Sequence, residues 1–197
     1  MTHTLPAALI FPQVGPDRTP AGELEANLLI AHTGIMSLIM AVQEAAPQER
    51  DYAPHGPAAY AIATMEHSVA CRALLALEEE LRTVIDHVNA TPAATRPTPR
   101  EFPRLAGLIA DQPRNFPTRQ TDGPELVALK ENLLSVYRCS LTVIAEFQPA
   151  TPRACDYENT RDFSLARAQH QAWVFFVQRI GHWFLTMANG VRTPSIR

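Results

Sequence analysis

Apolar residues recur at helical spacing along four long stretches of the sequence, and this repeat constrains the fold more than any other feature. In each stretch the apolar residues are three or four positions apart, so they share one face of an α-helix. Each helix must bury that face, and four helices do so most simply as a bundle. The four stripes are Leu24, Leu28, Ala31, Ile35, Leu38, Ile39 and Val42; Ala63, Ala70, Leu74, Leu77, Leu81, Val84, Ile85 and Val88; Leu126, Leu129, Leu133, Val136, Tyr137, Ser140 and Ile144; and Leu165, Ala172, Trp173, Phe176, Ile180, Trp183, Phe184 and Met187.

Signals for helix ends flank these stretches. Thr19 before Pro20 predicts an N-cap and a first-turn proline for the first helix. Asn159 or Thr160 is the expected cap of the fourth helix, and the pair at 189–190, Asn-Gly, predicts a left-handed stop at its end. No stretch indicates a strand. The sequence therefore predicts an all-α fold, an antiparallel four-helix bundle.

A proline-rich segment separates the second and third helices. Residues 91–122 contain six prolines, five arginines and one short apolar run. We interpret residues 91–123 as a long crossover within a single bundle domain at 19–190, because 197 residues suit one core. Residues 1–18 are expected to form an irregular arm, and residues 191–197 a C-terminal tail.

Composition favours a soluble protein of the bacterial cytoplasm. The three cysteines are an odd number without C-x-x-C spacing, which is typical of a reducing compartment. Lys130 is the only lysine among 17 basic residues, a bias that we attribute to a GC-rich bacterial genome. The N-terminus does not resemble a secretory signal. A net charge of −3 gives no basic field, so nucleic acid is a disfavoured partner.

The longest uncharged stretch, residues 26–43, approaches the length of a membrane span. It contains Asn27, His32 and Gln43, which are costly in hydrocarbon. We therefore interpret it as a buried helix and expect no membrane partner.

Histidines and a glutamate at the edges of the stripes form a candidate metal site. Helical placement puts Glu66 and His67 on either flank of the second stripe, and His32 and His170 at the edges of the first and fourth. If the helices alternate in direction along the chain, these side chains converge and can hold one divalent transition metal. The alternative, which we favour, is that His67 and His32 bond backbone or side-chain acceptors, that Glu66 pairs with Arg179 or another buried donor, and that no cofactor is bound.

The order of the helices, with a long excursion between the second and third, is similar to that of the DinB-type bundles, which bind a metal through histidines. The similarity is one of topology alone. The histidine pair that those proteins carry late in the chain is not matched here by His170 and His182, and the sequence has no H-x-x-x-H, H-E-x-x-H or E-x-x-H pattern. Family membership is therefore not assigned.

A five-residue pattern, Pro-Arg-x-Phe-Pro, occurs twice in the crossover, at residues 99–103 and 113–117. Prolines hold the backbone extended, arginine can bind a carboxylate or phosphate, and phenylalanine can anchor in a partner's groove. Alternatively, each phenylalanine only fastens the crossover to the bundle. The candidate partner-binding residues are Arg100, Phe102, Arg114, Phe116 and, on the polar side of the fourth helix, Phe175.

Three functions fit these features. The first is a non-enzymatic helical interaction or scaffold subunit of a bacterial cytoplasmic assembly, which binds a protein partner or itself. The alternative is a metal-dependent helical-bundle enzyme or metal-binding protein. The third is a protein that binds a small apolar ligand between the first and fourth helices, lined by Trp173, Phe176 and Met36.

Overall fold

The computed structural model of the protein describes residues 9–90, 113–117 and 124–191, and helices dominate this part of the chain. The described residues contain no strand, so the all-α class is confirmed. The four long helices carry the four apolar stripes. The helices are α1 (Ala21–Glu44), α2 (Glu49–Tyr52), α3 (Pro57–Asn89), α4 (Pro124–Glu146) and α5 (Thr160–Gly190), with 3₁₀ turns at Ala53–His55 and Ala154–Asp156.

The apolar stripes of the long helices meet in one core. Each long helix contributes side chains that are almost completely buried, and burial of a side chain of this size stabilises the fold by about 1.5–3 kcal/mol. Truncation to alanine at such a position typically costs about 2–5 kcal/mol. Side chains of this core with almost no exposed surface include Ile35, Leu38, Leu74, Leu77, Leu81, Leu133, Phe147, Phe176, Ile180 and Phe184.

Helix α1 packs antiparallel to α3. Near the start of α1, the Asn89 side-chain amide donates a hydrogen bond to Glu25 Oε1 at 2.8 Å. Further along, His32 Nε2 lies 2.8 Å from Glu78 Oε1. Residue numbers increase along α1 while those of the contacting residues on α3 decrease, so the two helices run in opposite directions.

Helix α1 also packs antiparallel to α4. Near the middle of α1, Gly34 lies so close to α4 that a Cβ at this position would overlap the carboxylate of Glu146. The last residues of α1 and the first half of α4 line a common cavity, with Glu44 on one side and Leu129 on the other. The start of α4 therefore lies beside the end of α1.

Helices α4 and α5 form the third antiparallel pair. Ser140 lies against Gly181, and the carbonyl of Phe147 lies against His170. Since α1 is antiparallel to both α3 and α4, these two helices run in the same direction. Consecutive long helices therefore do not all alternate in direction, so the alternation on which the predicted metal site was based is wrong.

Two of the described non-helical segments contact both α3 and α5, between which direct helix contacts are few. At one end, the Ile10 amide donates to Gln169 Oε1 of α5 at 3.0 Å. The ring of Phe11 packs on His87 of α3, with centroids 4.6 Å apart. At the other end, residues 113–117 contact both helices.

The helix ends were predicted with mixed success. Asn159 caps α5, because its Oδ1 accepts the Asp162 amide at 2.9 Å. Thr19 does not cap α1: Pro20 occupies the cap position and forms no side-chain cap bond. Thr19 is instead buried and donates its amide and hydroxyl to the carboxylate of Asp156 at 2.8 and 2.9 Å. Thr19 therefore bonds the distant Asp156 instead of capping the start of α1.

Candidate functional site

Two of the predicted metal ligands, His32 and His170, lie on different helices and have separate partners. His32 is bonded to Glu78 across the α1–α3 interface. His170 Nε2 lies 2.9 Å from the carbonyl oxygen of Phe147, so this nitrogen carries a hydrogen and donates. Burial lowers the pKa of His170, against the opposing effect of the Phe147 bond, and so favours the neutral imidazole.

The third imidazole, His67, lies near the other end of α1. Its Nε2 donates to the Val42 carbonyl at 2.7 Å, and the Cys71 sulfur lies 3.8 Å from its Nδ1. Burial raises the pKa of the Cys71 thiol, which disfavours the thiolate. Val42 is ten residues from His32, so about 15 Å along α1 separates the two histidine sites.

The fourth predicted ligand, Glu66, is also on α3 and faces residues 113–117. Within the described residues, no group of three or more histidine, cysteine, aspartate or glutamate side chains has the geometry to hold a metal ion. The structure therefore does not bring the four predicted ligands together. His32 and His67 bond nearby acceptors, as in the alternative that the sequence left open, and His170 also bonds one.

Glu66 forms one half of a contact site for residues 113–117. The backbone amide of Arg114 donates to Glu66 Oε2 at 3.4 Å, and the guanidinium Nε lies 3.6 Å from Oε1. The Glu66 side chain is only 10% exposed, whereas that of Arg114 is 66% exposed. Burial raises the pKa of Glu66, and the amide and charge of Arg114 oppose that rise. Arg114, not Arg179, is thus the partner of this carboxylate.

Gly190 forms the other half of this site. Helix α5 continues through Gly190, and Val191 follows with φ −62°, so the predicted left-handed stop is wrong. A Cβ at residue 190 would overlap the ring of Phe116, so only glycine permits this close approach. Pro113 and Pro117 are buried on either side. We call this contact surface the Glu66–Gly190 site.

The other predicted partner-binding residues differ in their positions. Phe175 is 52% exposed on the polar side of α5, and the Arg179 guanidinium lies 6.0 Å from its ring centroid. Arg100 and Phe102 lie outside the described residues.

The outer surface of α1 carries an apolar face with no charged residue between positions 26 and 43. Four large side chains on this surface are 42–59% exposed. By length and composition α1 is the one described helix apolar enough to cross a membrane, with a mean hydropathy of 1.5, but helices in soluble cores pass the same test. We call these residues the α1 outer face: Leu29, Ile30, Met36 and Met40.

A buried carboxylate that the sequence reasoning missed lies between α3 and α5. Glu80 is 6% exposed and accepts a hydrogen bond from Trp173 Nε1 at 2.6 Å. Burial raises the pKa of Glu80 to about 7, against the opposing effect of the Trp173 bond. A signal was available, because a buried indole N–H needs an acceptor and Glu80 lies between two stripe residues, Leu77 and Leu81.

The predicted apolar ligand pocket is not formed by its three expected residues. Trp173 and Phe176 are buried in the core, whereas Met36 lies on the outside of α1. A cavity of about 130 Å³ lies elsewhere, between the end of α1 and the start of α4, and is lined by polar residues including Arg50 and Asn132.

Comparison of the chain with known protein families, curated proteins and solved structures finds no match. Function must therefore be argued from these sites.

Proposed function

We propose that the four long helices form one bundle and that residues 91–123 are its crossover. The antiparallel contacts of α1 with α3, of α1 with α4 and of α4 with α5 support this arrangement. Because α3 and α4 then run in the same direction, the chain between them must return along the length of the bundle. A long crossover meets that requirement.

We further propose that the protein is a non-enzymatic helical interaction or scaffold subunit that associates through the α1 outer face. The observation that carries this proposal is the absence of charge on that face. The exposed positions of α1 between 26 and 43 are Ala26, Leu29, Ile30, Thr33, Met36, Ser37, Met40 and Gln43. By contrast, the exposed side of α3 carries Arg72, Glu79 and Arg82. An ordinary surface helix carries charged residues on its outer face, so a helical stretch without them is unusual for a surface that faces only water.

A second copy of the same chain is the occupant that this face fits best. The face offers no charge to complement a charged partner, whereas two copies related by a twofold axis would pair apolar with apolar surface. Small residues such as Ala26, Thr33 and Ser37 lie between the large ones, so the side chains of two crossing helices can interdigitate. The face runs along a helix about 36 Å long, which is enough for an extended contact.

The proposed cellular setting is a bacterial cytoplasmic assembly. The three cysteines are free thiols, which is consistent with a reducing compartment. The buried polar groups Glu80, His67 and His170 have structural partners, which favours an interaction role over a metal-dependent enzyme.

The test is the oligomeric state of the double variant Met36→Glu/Met40→Glu. Light scattering coupled to size exclusion should show a dimer for the unmodified protein and a monomer for the variant, because four buried carboxylates would be desolvated in each dimer. Met65→Glu is the matched control: Met65 on α3 is 52% exposed, compared with 59% for Met40, and its substitution should leave the dimer intact.

Two outcomes would count against self-association. One is a strictly monomeric unmodified protein at concentrations of about 100 μM, which corresponds to a contact weaker than about −5.5 kcal/mol. The other is binding of the monomer to lipid vesicles that the double variant abolishes, which would assign the face to a membrane instead.

A further inference from the structure

The carboxylate of Glu146 lies at the edge of the α1 outer face. Glu146 contacts α1 at Gly34, which is one helical turn from Ile30 of that face. Within the described residues, its buried Oε2 has no hydrogen-bond partner. The last turn of α4, which contains Glu146, carries no basic residue, and the helix dipole disfavours a carboxylate there. A cation from outside this chain would compensate the charge.

Arg138 is an exposed cation on the same helix. It precedes Glu146 by eight residues, or about 12 Å along α4. Its side chain is 62% exposed and bonds Glu131, itself 53% exposed, at 3.0 Å. An exposed ion pair of this kind adds little to stability, so the guanidinium can exchange one carboxylate for another.

A twofold axis can bring these two charges together from different copies of the chain. If the axis crosses α1 near the middle of the α1 outer face, the two α1 helices are antiparallel and α4 of one copy lies over α4 of the other. Thr142 is midway between Arg138 and Glu146 and lies about 6 Å along α4 from the residue that contacts Gly34. The midpoint of the two charges is therefore about one helical turn from the middle of the face.

We propose that two copies associate with their α1 helices antiparallel and that Arg138 of each copy binds Glu146 of the other. This arrangement rests on the self-association through the α1 outer face proposed above. It gives each copy an anchoring site that is incomplete without the second copy. Two charge-assisted contacts then flank the apolar centre of the dimer, as polar rims flank the cores of other protein interfaces.

The apolar residues fit the same axis. A twofold axis at the middle of the face places Leu29 of one copy opposite Met40 of the other, and Met36 opposite Thr33. The large side chains at the two ends of the face therefore contact each other. Near the axis, the long Met36 side chain meets a small residue, which allows the two helices to interdigitate.

The parallel arrangement is opposed by charge. If the two α1 helices were parallel, α4 of one copy would lie over α3 of the other. Arg72 lies on α3 between the residues that contact His32 and Val42, so it is level with the second half of α1. Arg138 lies beside the same half of α1, and the parallel arrangement would thus bring two arginines together.

The first experiment measures the dissociation constant of the dimer by sedimentation equilibrium of the full chain. Arg138→Glu should raise Kd by about tenfold or more, because both symmetry-related contacts then join two carboxylates. Adding Glu146→Lys restores opposite charges and should return Kd to within about threefold of the unmodified protein. Glu131→Gln is the matched control: it removes the bond within α4 but keeps Arg138, so Kd should not rise.

The second experiment determines the orientation of the two α1 helices by disulfide cross-linking. Oxidation of an equimolar mixture of Leu29→Cys and Met40→Cys should join residue 29 of one copy to residue 40 of the other. Neither variant alone should cross-link at its new cysteine. Mass spectrometry of the linked peptides distinguishes these bonds from those of Cys71, Cys139 and Cys155.

Failure of this arrangement is distinguishable from failure of self-association. A monomeric unmodified protein contradicts both. A dimer that Arg138→Glu leaves unchanged, or one in which Met40→Cys cross-links to itself, contradicts the arrangement alone. Circular dichroism checks folding, and if Arg138→Glu/Glu146→Lys does not fold, the variants Arg138→Gln, Glu146→Gln and their combination replace it. The combination should then weaken the dimer no more than either single substitution, and additive losses would show that the two residues do not meet.

Discussion

Glu80 is a carboxyl group whose ionisation opposes folding. In the unfolded chain its pKa is near the ordinary value of 4.5, and burial raises it to about 7 in the folded protein. The folded state therefore holds the proton more tightly. The contribution of Glu80 to the free energy of unfolding is therefore greatest below pH 4.5. It falls as the pH rises towards 7 and stays low above pH 7. The difference corresponds to about 3 kcal/mol.

Glu80→Gln should remove this pH dependence, because an amide is neutral throughout and its oxygen can still accept from Trp173. In urea unfolding, the variant should gain stability relative to the unmodified protein between pH 4.5 and pH 8, by up to about 3 kcal/mol. Glu79→Gln at the adjacent exposed position is the control and should show no such gain. An equal difference between Glu80→Gln and the unmodified protein at both pH values would contradict the prediction.

The sequence predicted the exposure of single residues only where their position on one helix determines it. Helical spacing correctly placed Glu66 and His67 at the partly buried edge of α3, and Phe175 on the exposed side of α5. Whether His32 meets His67 depends on the level at which two helices pack, and spacing within one helix carries no such information. Glu80 lies beside the α3 stripe, but spacing within α3 does not show that it pairs with Trp173, a residue 93 positions away.

At the scale of elements, glycines in different helices have different roles. Gly22 lies in the first turn of α1, where an added Cβ meets nothing within 4 Å. Gly190 lies in the last turn of α5, where an added Cβ would overlap the ring of Phe116. The same substitution, glycine to alanine, should therefore have opposite effects in the two helices.

Gly22→Ala should stabilise the protein by up to about 1 kcal/mol, because alanine loses less backbone entropy on folding. Gly190→Ala should destabilise it by about 1–3 kcal/mol, since the ring or the helix end must shift. Thermal denaturation of the two variants beside the unmodified protein measures both effects. Equal stabilisation by both substitutions would show that Phe116 does not pack closely on α5 in solution.

Element ends were harder to predict than element cores. The stripes identified all four long helices, because their periodicity repeats over 23–33 residues. A helix end depends on one or two residues, and a tertiary contact can change the role of such a residue. Thr19 has the side chain of an N-cap, yet the buried Asp156 takes its amide and hydroxyl and ties the N-terminal segment to the turn before α5.

At the scale of the whole molecule, the directions of the helices determine how far the connection between α3 and α4 must reach. Asn89 at the end of α3 lies beside Glu25, near the start of α1. Glu125 at the start of α4 lines the same cavity as Glu44, at the end of α1. The chain must therefore travel the distance between positions 25 and 44 of α1, about 28 Å at 1.5 Å per residue. The sequence shows the length of the connection but not this requirement, because helix direction is a property of packing.

A minimum length for the connection follows from this distance. If residues 91–123 are replaced by five glycine and serine residues, the six Cα spacings from Ala90 to Pro124 reach at most about 22 Å, which is too short. A replacement of twenty such residues has an average span of about 25 Å and a much longer maximum, so it can bridge the ends.

Both variants lack the segment bound at the Glu66–Gly190 site, so the difference between their stabilities reports the span alone. Circular dichroism should show a cooperative thermal transition for the twenty-residue variant and a lost or strongly lowered transition for the five-residue variant. Identical transitions in the two would mean that α3 and α4 do not run in the same direction.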